Sequence, residues 1–76
     1  MISLYLGFNL RIQKRKTYTI INKYFKDFSA FEVDGFYQGK RVKTLKIEIL
    51  TGDKTKINKL KNELKFTFKQ KDILVV

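Results

Sequence analysis

The spacing of apolar residues along this chain switches between strand and helix periods in an order that few folds can satisfy. Ile2, Leu4, Leu6, Phe8 and Leu10 alternate with Ser3, Tyr5, Gly7 and Asn9, the period of a half-buried strand. A basic segment from Arg11 to Lys16 breaks that alternation. Thr17 is then placed to cap a helix, and Ile20, Ile21, Tyr24, Phe25 and Phe28 follow on one helical face. From Ser29 the period returns to two, with Phe31, Val33 and Gly35 on one side. Leu45, Ile47 and Ile49 alternate in turn with Thr44, Lys46 and Glu48, and Gly39 and Lys40 near the reversal predict a hairpin. Thr51-Gly52-Asp53 reads as a turn containing a helix cap. Ile57, Leu60, Leu64 and Phe68 trace an amphipathic helix ended by Gln70-Lys71-Asp72, and Ile73 to Val76 predicts a short buried strand.

The resulting order is β-α-β-β-α-β. Its economical solution is a single α+β domain over residues 1–76, the ferredoxin-like arrangement: a four-stranded antiparallel sheet with two helices on one face. No linker or low-complexity tract interrupts it, and the two halves read as one pseudo-repeat. A core built from 43% hydrophobic and 14% aromatic residues needs neither disulfide nor metal. Small single-core domains often lean on self-association, so a homo-oligomer is expected. The apolar start has no basic region before it, and no run approaches the roughly 18 apolar residues of a membrane span. These features predict a soluble protein, without a membrane partner, in the cytoplasm of a bacterial host cell. The bias toward Lys, Ile, Asn and Phe fits an AT-rich genome, such as that of a Gram-positive bacterium, its phages or its plasmids.

Composition also narrows the chemistry. The chain has no Cys and no His, which removes thiolate nucleophiles, the commonest general base and the usual zinc ligands. The acids are Asp27, Glu32, Asp34, Glu48, Asp53, Glu63 and Asp72. Glu32 and Asp34 share a strand face, but nothing beside them completes a mechanism, and no Gly-rich phosphate loop is present. The expectation is therefore no enzyme, no catalytic residue, no metal site and no cofactor.

What remains is charge: Lys and Arg number 17 against 7 acids, a formal net charge of +10. Three groups carry it. Arg11, Lys14, Arg15 and Lys16 enter the first helix; Lys40, Arg41 and Lys43 follow the hairpin turn; Lys54, Lys56, Lys59, Lys61, Lys65, Lys69 and Lys71 run along the second helix and its exit. Lysines on a helix back read as a solubilising face. The first two groups hold every Arg in the chain, and Arg is the better bidentate partner for phosphate. The predicted anion site is Arg11, Arg15, Lys40, Arg41 and Lys43, with Tyr37 beside them.

Two resemblances bear on this. Leu4 to Leu10 resembles the first-strand motif of RNA-recognition domains, with Tyr5 at the base-stacking position. That match needs an inserted Phe8, and the strand Thr44 to Ile49 lacks the partner aromatics, so Tyr5 is read as a sheet-face or interface residue. The stretch Gly35-Phe-Tyr-Gln-Gly-Lys-Arg-Val-Lys-Thr-Leu-Lys-Ile-Glu-Ile-Leu, then a helix, then Gln70-Lys-Asp-Ile-Leu-Val-Val resembles small phage and bacterial proteins of the PII/CutA-like ferredoxin-fold group. Phage S-adenosylmethionine lyases are similar in the same hairpin and last strand. The resemblance covers about residues 28–76, matching at Gly35, Tyr37, Gly39 and Gln70. It implies a homotrimer in which sheet edges meet, with ligand sites in clefts between subunits. Val42 stands where the pattern has Glu and Thr44 where it has Ser, so the lyase reaction is not carried over. The expected function is a non-enzymatic oligomeric phage or mobile-element protein holding an anionic ligand, a nucleotide, between subunits. The alternatives are a nucleic-acid-binding accessory protein and an inhibitor of a host defence protein acting by strand addition.

Overall fold

In a computed structural model of the chain, residues 1–7, 14–69 and 73–76 are described, apart from the Tyr37 side chain. The elements are β1 (Ile2–Gly7), α1 (Lys14–Tyr24), β2 (Ser29–Tyr37), β3 (Lys40–Ile49), α2 (Lys54–Phe68) and β4 (Leu74–Val75). The sheet order is β2-β3-β1-β4 with every neighbouring pair antiparallel, the ferredoxin-like topology that the periodicity predicts.

Strand pairing puts like with like. β1 and β3 align Ile2 with Ile49, Leu4 with Ile47 and Leu6 with Leu45, so the alternating apolar residues of both strands point to one face. Ile20 and Ile21 of α1, Ile57, Leu60 and Leu64 of α2, and Ile73 close over that face in one core. Burying each such side chain is worth about 1.5–3 kcal/mol, whereas an exposed ion pair contributes about 0–1 kcal/mol. The apolar seam, not surface charge, therefore holds the helices to the sheet.

One polar tie fixes how the helices sit against each other. Glu63 of α2 accepts hydrogen bonds from Lys23 Nζ and, at 2.6 Å, from Tyr24 Oη at the end of α1. Those bonds, Lys23 first, hold the Glu63 carboxyl below its ordinary range. The tie is complete above the ordinary carboxylate pKa and is lost as pH falls through the depressed value.

Turns and caps follow their local chemistry. Gln38 and Gly39 take φ of 51° and 77°, the double left-handed geometry that suits a tight turn to the twist of β2 and β3. Asp53 Oδ1 accepts from the Lys56 amide at 3.0 Å and caps α2. At the other end Lys69, at φ 53°, returns its amide to the Lys65 carbonyl.

Three expectations are corrected. Thr17 does not cap α1 but lies buried inside it, because the helix already starts at the basic Lys14. Phe25 and Phe28 pack against the core from the segment after α1, which ends at Tyr24. The last strand is not buried: Ile73 is, but Leu74 and Val76 are exposed, since β4 is an edge strand with one covered face. The helix stop expected at 70–72 and the continuation of the first strand through Phe8 and Leu10 lie outside the described residues.

Among the described residues no helix lies over the second face of the sheet. Its middle row runs Phe31, Lys46, Tyr5, Leu74 across all the strands. Lys46 Nζ stands 5.7 Å over the Tyr5 ring and 3.2 Å from Glu48, so the charge on this face is locally balanced. Among the described residues no helix is long and apolar enough to cross a membrane.

Candidate anion-binding site

Chain direction decides where the basic residues meet. Antiparallel strands joined through helices place the start of α1, the β2–β3 turn and the end of α2 at one end of the domain. The contacts agree. Lys14 in the first turn of α1 bridges Glu32 of β2 at 3.0 Å. Lys43 of β3 acts on the same carboxylate through space. Lys16 of α1 lines one groove with Lys65 and Lys69 of α2. Basic groups that are far apart in sequence thus share one pole.

The predicted residues divide as follows. Arg15 is exposed in the first turn of α1. Arg41 and Lys43 share the strand face of Leu45, the helix side of the sheet, and are paired in register with Phe36 and Asp34. Lys40 lies one residue before Arg41 and so projects to the opposite side of the ribbon. Tyr37 is its register partner, but the Tyr37 side chain is outside the description, as are all of Arg11 and Gln70. Among the described residues Arg15, Lys40 and Arg41 form no ion pair. Phe36, beside Arg41, is 70% exposed.

Two physical features set this pole apart. First, α1 opens on Lys14-Arg15-Lys16 with no acid in its first turn. Among the described residues only Lys14 of the three has an ion-pair partner, Glu32, whose carboxyl is held below its ordinary range chiefly by Lys14 and less by Lys43. Second, β2 and β3 stay paired out to Tyr37 and Lys40, whereas β1 accompanies β3 only to Thr44 among the described residues. Arg41 and Lys43 are both exposed on this β2–β3 ribbon. The opposite end mixes signs, with Lys26 and Lys56 beside Asp27, Glu48 and Asp53.

Sequence reasoning named Lys14, Lys16, Lys65 and Lys69 without assigning them to the site. The available signal was connection parity: once the element order is set, alternate connections fall at the same end. Among the described residues no cluster of His, Cys, Asp or Glu is arranged to hold a metal ion. No family model, no curated protein and no solved structure matches this chain.

Proposed function

We propose that this protein is a non-enzymatic binding module for an extended polyanion, and that nucleic acid is the class its basic pole fits. The observation that carries this reading is the gathering of Arg15, Lys40, Arg41 and Lys43 at one end with the first turn of α1. Cations on both sides of the β2–β3 ribbon and in the first described turn of α1 suit a chain of phosphates better than one small ligand, which needs a concave, converging site.

The test is binding of a labelled single-stranded oligonucleotide across a salt series. Engagement of Arg15, Lys40, Arg41 and Lys43 predicts a log–log slope of about −3, from about −0.7 per phosphate neutralised on a single strand. Binding that ignores salt contradicts the reading.

A second reading, a nucleotide held between subunits of a PII/CutA-like homotrimer, draws support from the uncovered sheet face, where Phe31 and Leu74 are exposed in one row with Tyr5. A trimer by light scattering at high and low salt that binds mononucleotide as tightly as oligonucleotide would favour it over the polyanion.

A further inference from the structure

We propose that the groove between α1 and α2 receives an unpaired base of a single-stranded nucleic acid, with Phe66 as the stacking surface and Lys16, Lys65 and Lys69 on the flanking phosphates. This rests on the polyanion reading and adds what that reading lacks, a preference for unpaired strands and a place for a base.

Phe66 is 86% exposed, the most exposed aromatic among the described residues. It stands off the face of α2 that carries Ile57, Leu60 and Leu64 into the core, so folding does not call for a large apolar side chain there. A phenyl ring left in water forgoes about 1.5–3 kcal/mol of burial. Its surroundings match a nucleotide's parts. The groove, about 920 Å³ in volume, has Lys16, Thr19 and Ile20 of α1 on one side and Phe66, Thr67 and Lys69 at the end of α2 on the other. Ile20 gives it an apolar wall, Thr19 and Thr67 supply hydroxyls, and Lys16, Lys65 and Lys69 form no ion pair among the described residues. Among the described residues its one carboxylate, Glu63, is already engaged by Lys23 and Tyr24, which offsets its charge toward an anion. An aromatic face among unpaired lysines can hold a base and its phosphates together. A duplex keeps its bases stacked inside and cannot use the ring.

The experiment compares wild type, Phe66→Ala and Phe66→Tyr by fluorescence anisotropy or competition with oligo(dT), a duplex of the same length, inorganic polyphosphate and phosphatidylserine vesicles. Phe66→Ala is expected to lose roughly tenfold in affinity for oligo(dT), the effect of one stacked base. It should leave duplex and polyphosphate binding unchanged, and Phe66→Tyr should bind oligo(dT) like wild type. Equal binding of oligo(dT) by wild type and Phe66→Ala overturns the proposal, as does an equal loss on polyphosphate. So does a loss confined to vesicles, which would make Phe66 a lipid contact. Failure of wild type to bind any of these polyanions would instead bring down the polyanion reading itself.

Discussion

Replacing Arg41 and Lys43 together by alanine is expected to weaken oligonucleotide binding roughly 25-fold at 0.1 M salt, from about 0.7 counterions released for each of two phosphates on a single strand. The log–log salt slope should fall by about 1.4 for the same reason. Both side chains are exposed on the β2–β3 ribbon, with neither in the core cluster. Surface changes of this kind stay within about 0.5 kcal/mol in stability, so the melting temperature should hardly move. The same pair of substitutions at Lys54 and Lys56, beside Asp53 at the mixed end, removes equal charge from the wrong place and should alter binding far less. Equal losses from both pairs would mean that net charge alone drives binding and that the pole has no special role. A collapse in stability from the Arg41/Lys43 pair would mean that those residues hold the hairpin together.

Leu60→Ala should have the opposite profile. Leu60 is fully buried in the single core that α2 shares with α1 and the sheet. Truncating a buried leucine costs about 3–5 kcal/mol, the lost transfer energy plus the cavity left behind. A chain of 76 residues has a total stability of roughly 4–11 kcal/mol, so this one change removes a large share of it. A fall in melting temperature of about 12 °C or more is expected by calorimetry or circular dichroism, at 4–8 °C for each kcal/mol in a domain of this size. A fall of only a few degrees would show that the seam between the helices and the sheet repacks readily, against the account of what holds this fold.

The parts of the fold that were legible in the sequence are those where one local rule decides. The alternation in β1 and β3 fixes their buried faces, and with them a register that pairs Leu4 with Ile47 and Leu6 with Leu45. Asp53 ahead of an apolar helical stripe gives the α2 cap, and Gly39 marks the tight turn. What misled were positions where two rules compete. Thr17 has the chemistry of a cap, but the helix already runs through Lys14, Arg15 and Lys16 ahead of it. Phe25 and Phe28 keep helical spacing beyond the helix end, because apolar side chains in the following segment still reach the core. The last strand reads as buried from composition alone, whereas only its place at the sheet edge leaves Leu74 and Val76 exposed.

The candidate site shows the same division. Sequence isolates Arg15, Lys40, Arg41 and Lys43 as concentrated charge in separate segments. Their meeting depends on chain direction, and the bridge from Lys14 to Glu32 is a tertiary contact between residues far apart in sequence. Lys65 and Lys69 read as a solubilising helix back until Lys16 faces them across a groove. Phe66 carried a signal of its own, an aromatic off the apolar stripe of α2 in a run of lysines.

The most direct measurement is a backbone amide NMR titration of isotope-labelled protein with a single-stranded oligonucleotide at low salt. Perturbed amides are expected to cluster at Lys14–Lys16, Lys40–Lys43 and Lys65–Lys69, and added salt should reverse them together. Perturbations gathered instead around Asp27, Leu50 and Lys56, or along Ser3, Tyr5 and Leu74 on the uncovered sheet face, would contradict the basic-pole reading.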